Sequence, residues 1–205
     1  MREKEPSTSV LFIRHGKTDF PLDRIYCDDR EDPELNEEGE AQALSTAKLL
    51  ENVAIDALYC SPSLRTLRTA EIITAARDLK LSTCDVFRER KFGIWEGLYF
   101  HEIAEQYPEE QAQWKKDNAG FRPKNGESIY DLWDRMAPTL DEIVVRNRGK
   151  TVAVVAHVGP IRIAVAQAIG LPTSNFRCLN IDYASVTRID YGRSQNNMVF
   201  LNRVV

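Results

Sequence analysis

The sequence is poor in the residues that usually announce a metal or redox centre. Three histidines (His15, His101 and His157) are scattered through 205 residues, and the four cysteines (Cys27, Cys60, Cys84 and Cys178) include no CxxC pair. A zinc site needs three or four clustered ligands. No HxxxH or mixed Cys–His cluster exists, so neither a metal nor a cofactor is expected. Cysteines so dispersed could form two disulfides, but reduced thiols are the expectation for a leaderless chain of this size. Long hydrophobic runs are missing too: none approaches the roughly 18 apolar residues of a membrane span, which argues against a membrane partner. The opening MREKEPSTSV has no apolar core of the kind a secretory signal needs, so a soluble, cytoplasmic protein is expected. Finally, no charge of one sign dominates. Lys+Arg number 27 against 31 Asp+Glu, a net charge of −4 with no basic run, which argues against a nucleic-acid partner. No repeat or low-complexity tract is present, and no pattern fixes an oligomeric state.

What is there reads as one globular domain over residues 1–205, at 43% hydrophobic. Apolar, β-rich segments at 9–13, 55–60, 151–156 and 184–190 predict strands. The third, TVAVVA, is a near-continuous apolar run, as in a central strand covered on both faces. Between them the spacing predicts helices over 36–52 with Asn36 as N-cap, over 61–79 opened by Ser61 and Pro62, over 127–147 with Pro138 inside, and over 160–170 closed by Gly170. This alternation implies an α/β, three-layer, doubly wound fold: a mostly parallel sheet with helices on both faces. Residues 98–125 break the rhythm. They are polar, aromatic and strand-poor, too long for a plain connection, and read as a small helical insertion that caps something.

Two of the three histidines share a context. FIRHG and AHVGPIR each place a histidine where an apolar strand gives way to the next element. Parallel strand ends meet along one sheet edge, where open α/β folds bind ligands, so His15 and His157 can face each other. A single histidine of this kind is more often a turn or core residue; two in matching contexts favour a site. Arg65 follows another strand closely enough to turn inward, whereas Arg68 reads as a solvated helix residue. Glu89, in RERKFGIWEG, is either a surface carboxylate or a general acid in a cleft. Arg14, Arg65, two histidines and a glutamate at strand ends suggest a phosphate pocket with a nucleophile and an acid.

Six segments, in order, carry a resemblance: RHGKT (14–18), DPELNEEGEAQA (32–43), CSPSLRTLRTAE (60–71), RERKFGIWEG (88–97), NGES (125–128) and AHVGPIR (156–162). Together they resemble the histidine phosphatase superfamily, the phosphoglycerate mutase-like proteins. The resemblance implies that His15 attacks phosphorus, that Arg14 and Arg65 grip the phosphoryl oxygens, that His157 donates to the same group, and that Glu89 protonates the leaving oxygen. It implies a metal-independent phosphomonoester hydrolase working through a phosphohistidine on a small phosphorylated metabolite. A mutase-type phosphoryl transferase and a non-catalytic phosphoryl-binding protein are the alternatives.

Thr18 and Arg24 also fall on family positions near the phosphate. For Thr18 the other reading is a turn hydroxyl; for Arg24, an ion pair with the acidic run Asp28, Asp29, Glu31 and Asp32. Pro21, Tyr26 and Cys27 depart from the family pattern. There Tyr26 supplies a hydroxyl, shapes the pocket or simply packs, and Cys27 still offers its backbone N–H. In the insertion, Lys115, Lys116, Arg122 and Lys124 with Trp114, Phe121 and Tyr107 form either a solvated face whose aromatics pack, or a lid that recognises a second anionic group or a ring. On the lid reading, Arg122 and Lys124 bind substrate. Trp95 and Trp133 are expected in the core, and His101 on an exposed helix face with no role.

Overall fold

A computed structural model describes residues 6–27 and 30–205. One six-stranded sheet organises them, in the order β3-β2-β4-β1-β5-β6. Its strands are β1 (Thr8–Arg14), β2 (Ala57–Cys60), β3 (Leu81–Thr83), β4 (Thr151–Ala156), β5 (Val186–Tyr191) and β6 (Asn196–Arg203). Strand β4 is central and parallel to β1 and β2, and β3 is parallel to β2; β5 runs antiparallel to β1, and β6 to β5. Strands β3 and β6 have no counterpart in the sequence reading. The first is three residues long, and the second is an edge strand with polar residues at both ends, so neither shows a buried alternation.

Alternation in β1 and β4 sends side chains to two cores. Val10, Phe12, Val152 and Val154 pack with α5 (Ile129–Arg146) and α6 (Val158–Ala168) on one face. Leu11, Ile13, Ala153 and Val155 pack with Ala70 and Ile73 of α2 (Leu64–Thr74) and with Leu49 of α1 (Glu37–Leu49) on the other. The result is the three-layer, mostly parallel α/β arrangement. Helix α5 inserts Ile129, Leu132, Met136, Leu140 and Ile143, an i, i+3, i+7 stripe, and runs on past Pro138 to Arg146.

Helix ends show where sequence cues hold and where they are overridden. Asn36 caps α1, its side-chain oxygen accepting the Gly39 N–H at 2.8 Å. Helix α2 begins at Leu64 rather than Ser61 and ends at Thr74 rather than 79. Pro62 bars Ser61 from helical geometry, and the Leu64 N–H is capped from a distance by the Asp32 carboxylate at 3.0 Å. Helix α6 starts at Val158, two residues before the predicted position, because Pro160 is tolerated in a first turn. The 98–125 segment holds two short helices, α3 (Phe100–Gln106) and α4 (Pro108–Lys116). Its aromatics Phe121, Tyr107 and Trp114 pack with Ile25, Trp95 and Ile103 in a third cluster. Among the described residues, no helix is long and apolar enough to cross a membrane.

Candidate active site

Strand register brings the two histidines together. Arg14 of β1 pairs with Ala156 of β4, so the next residues, His15 and His157, leave the sheet side by side with ring centroids 5.3 Å apart. Gly16 then allows a close approach: a Cβ there would lie 2.4 Å from the Gly39 carbonyl oxygen in the first turn of α1.

Arg65, 1% exposed, stands between the rings and fixes both tautomers. A guanidinium can only donate. Its Nε–H points at His15 Nε2 (3.3 Å) and its Nη2 at His157 Nδ1 (3.0 Å), so both ring nitrogens present lone pairs. The proton of His15 is therefore on Nδ1, which donates to the Gly16 carbonyl at 2.7 Å. That of His157 is on Nε2, which donates to Ser61 Oγ at 2.8 Å. Asp32 in turn pairs with Arg65 Nη1 at 3.3 Å. Burial, and then the charges of Arg65 and Arg14, hold both imidazoles well below the usual histidine pKa.

That suppression has a consequence for stability. An unfolded histidine takes a proton near pH 6.5, whereas these two stay neutral in the native state to well below it. The unfolded state thus binds more protons as pH falls. Stability is full above pH 6.5 and declines below it, by up to about 1.4 kcal/mol per pH unit for each histidine. Denaturant unfolding at pH 7.5, 6.5 and 5.5 in phosphate-free buffer should show this decline between the last two. Replacing His157 with Gln should roughly halve the slope; an unchanged slope would contradict neutral burial.

Arg14 stacks on Tyr183, its guanidinium carbon 3.8 Å from the ring centre, and donates through Nη1 to the Ile181 carbonyl. Its buried Nε has no acceptor among the described residues. Glu89 is held by two backbone donors, the N–H of Arg90 at 2.8 Å and of Gly159 at 3.1 Å. All five residues, Arg14, His15, Arg65, Glu89 and His157, are thereby placed at one end of the sheet. Of these, Arg14, His15, Arg65 and Glu89 line a cleft of about 350 Å³.

The remaining sequence candidates divide. Tyr26 lines the cleft, its ring 4.7 Å from the Arg65 guanidinium carbon. Thr18 is buried outside the lining and behaves as a turn residue, its hydroxyl accepting the Phe20 N–H at 3.3 Å. Arg24 reaches the cleft, but its guanidinium is engaged by the Gly97 carbonyl and by Glu31 at 2.9 Å. That is the ion-pair reading; Asp28 and Asp29 lie outside the described residues. The Cys27 N–H goes to Glu96 and is not on offer to a ligand. Arg122 and Lys124 are not brought to the cleft. Both are exposed, and Asp131, the N-terminal partner of α5, captures Arg122 at the surface. Arg68 pairs with Glu40 and Glu71, and His101 is exposed on α3. Trp95 is core and cleft wall at once.

Sequence reasoning missed Ser61, Tyr183, Arg162, Arg177 and Arg135. Arg162 closes the AHVGPIR segment and was open to notice; Tyr183 and Arg177 come from irregular chain with no periodic signal. Arg135 of α5 donates to the carbonyls of Val86, Arg88 and Glu89 and pairs with Glu127, which pins the loop carrying Glu89. Among the described residues, no group of three or more His, Cys, Asp or Glu side chains gathers as a cation site.

The chain is 30% identical over 194 residues to phosphoserine phosphatase 1 of Hydrogenobacter thermophilus, covering 94% of this chain and 91% of that one. It is 37% identical over 187 residues to a bifunctional protein of Mycobacterium tuberculosis, 90% of this chain but only 50% of the longer protein. The native structure of a mycobacterial glucosyl-3-phosphoglycerate phosphatase superimposes with a TM-score of 0.86 at 26% identity, covering 96% of this chain and 99% of that one. These relatives are, by name, mostly phosphatases. The sequence pattern that defines their family matches residues 10–204, and the chain belongs to the histidine phosphatase superfamily (branch 1).

Proposed function

We propose that the chain is a metal-independent phosphomonoester hydrolase that works through a phosphohistidine at His15 on a small phosphorylated metabolite. The observation that carries this reading is the tautomer lock: Nδ1–H of His15 is tied to the Gly16 carbonyl, leaving the Nε2 lone pair beside Arg65. A ring so held is a nucleophile without needing a base to deprotonate it. The unmet Nε–H of Arg14 and the fork of Arg65 supply positive charge for the three phosphoryl oxygens, the part that metal ions take elsewhere.

In the first step His15 Nε2 bonds to phosphorus as the ester P–O bond breaks, and Glu89 gives its proton to the departing alkoxide. Water then attacks the phosphorus, the P–N bond breaks, and Glu89 takes the water's proton. His157 enters with its Nδ1 facing Arg65 as an acceptor; donation from that nitrogen to the phosphoryl group follows once the incoming dianion offsets the arginines and favours its protonation. Residues 1–205 act as one domain in this reading, with 98–125 as its cap. A cytoplasmic setting belongs to the same reading, as the expectation for four dispersed cysteines with no CxxC pair. The names of the relatives support a small-molecule substrate, among them phosphoserine and glucosyl-3-phosphoglycerate.

The test is phosphate release from a panel of phosphomonoesters in EDTA, with acid-quenched and alkali-quenched trapping of labelled enzyme. Turnover with an acid-labile, alkali-stable label is expected. Label that passes to a second sugar or acid instead of water would establish a mutase, and binding without label would overturn the enzyme reading.

A further inference from the structure

One short stretch of irregular chain, residues 181–185 just before β5, grips both Arg14 and His15. The Arg14 N–H donates to the Ser185 carbonyl at 3.2 Å, and the Ala184 N–H to the His15 carbonyl at 3.1 Å. Arg14 Nη1 donates to the Ile181 carbonyl at 2.7 Å, and the guanidinium carbon lies 3.8 Å from the Tyr183 ring centre. The same ring lies 5.7 Å from that of His15. The stretch is itself fastened down. Ala184 sits at φ 51°, in the left-handed region that a Cβ disfavours, and its carbonyl accepts the Thr46 hydroxyl at 2.6 Å. Asn202 of β6 holds Asp182 twice, accepting its backbone N–H at 2.6 Å and donating to its carboxylate at 2.8 Å. A backbone of this kind persists where its surroundings over-determine it.

A guanidinium tied through Nη1 can still turn about that bond. The Tyr183 ring removes this freedom, because a flat cation packed on a ring face keeps its plane. The ring does so without taking a donor. A carboxylate in its place would accept the N–H groups that a phosphoryl oxygen needs. Nε–H, buried and without an acceptor among the described residues, is thereby kept for a ligand. Burial works against the charge of Arg14, and the electron-rich ring face returns part of the lost hydration. Both side chains line the cleft.

We propose that Tyr183 is a positioning residue for phosphoryl transfer: the face of its ring, and not its hydroxyl, sets the plane of Arg14 so that Nε–H meets a phosphoryl oxygen beside His15. This rests on the reading of the His15 end as the phosphoryl site. Residues 181–185, with Asn202 as their fastening, then reach the chemistry only through Arg14 and the His15 backbone. The alcohol portion of the substrate takes no part in the effect.

The probe is inorganic phosphate, which has no alcohol portion, titrated calorimetrically into the parent chain and its variants. Tyr183→Leu and Tyr183→Met remove the ring and keep apolar bulk. Tyr183 is half-buried on the cleft wall, so the core stays filled, and two variants keep the result from hanging on the folding of one. Each should weaken phosphate binding about 10- to 30-fold, whereas Tyr183→Phe should restore the affinity to within about 3-fold of the parent. Arg14→Lys supplies the decisive arm. An ammonium has no plane to set, so in that background Tyr183→Leu should cost no more than about 2-fold further. A loss with Tyr183→Phe as large as with Tyr183→Leu would move the role to the hydroxyl and overturn the proposal. So would unchanged affinity in both ring-less variants, or an equal cost of Tyr183→Leu with and without Arg14. The expected pattern in a parent that releases no phosphate from any ester would overturn the hydrolase reading alone. No binding of phosphate by the parent would overturn both.

Discussion

Replacing His15 with alanine is expected to lower kcat by about 10⁴- to 10⁶-fold, the scale on which removal of a covalent nucleophile acts. Its ring makes two polar contacts, to the Gly16 carbonyl and to Arg65, so the loss is chemical rather than structural. Arg14 remains stacked on Tyr183 and Arg65 remains tied to His157 and Asp32. A phosphate ester should therefore still bind, within about 10-fold of its parent affinity if the charge-assisted contacts are kept. The acid-labile label should vanish completely. Single-turnover measurements with the variant check this; a residual kcat within 10-fold of about the parent value would remove His15 from the nucleophile's position.

Gly159→Ala should be the next most damaging change, although Gly159 carries no chemistry. A Cβ at that position would stand 2.1 Å from Glu89 Oε1 and 3.2 Å from its carboxyl carbon. The obstacle is the far end of a flexible side chain, so the fold gives way cheaply by swinging Glu89 aside. What moves is the proposed proton donor, together with its bond from the Gly159 N–H. General acid catalysis contributes about 10²- to 10⁴-fold, and kcat for an alkyl phosphate should fall on that scale with KM little changed. The leaving group provides the discriminating measurement. A p-nitrophenolate departs without help, so the p-nitrophenol burst that reports phosphorylation should be nearly spared, while hydrolysis of the phosphoenzyme, which uses Glu89 as base, slows alike for both esters. Equal losses in the phosphorylation step itself would mean that Glu89 does something other than protonate the leaving oxygen.

Both predictions concern residues whose placement was open to sequence reading to different degrees. The position of His15 at a strand end follows from an apolar run that stops at Arg14, and β1 indeed spans Thr8–Arg14. The clustering of His15 with His157 follows from two parallel strands sharing an edge, which TVAVVA made legible as a near-continuous apolar run. The steric reason for Gly159 was not legible, because Glu89 lies 70 positions away and reaches it from an irregular loop. The same holds for Arg122 and Lys124. Their charge suggested a lid that grips an anion, but the side chain of Arg122 is taken by Asp131 of α5. Thr18 and Arg24 show the same pattern on a smaller scale: each found a partner within the protein, Phe20 and Gly97 among them, that composition did not disclose.

The sequence by itself determined the alternation of strands and helices, the central place of 151–156, the Asn36 cap, and the arrival of Arg14, His15 and His157 at strand ends, with Arg65 in the first turn of the helix that follows another strand. These follow from local periodicity and from the geometry of parallel sheets, which act over a few residues or by a general rule. Tertiary structure alone decided the tautomers of the two histidines, the capping of α2 by Asp32, the anchoring of the Glu89 loop by Arg135, and which arginines face the cleft. Each of those depends on a contact between segments far apart in the chain. A long charged side chain goes to whichever partner the fold puts within its reach, and no local pattern records that partner.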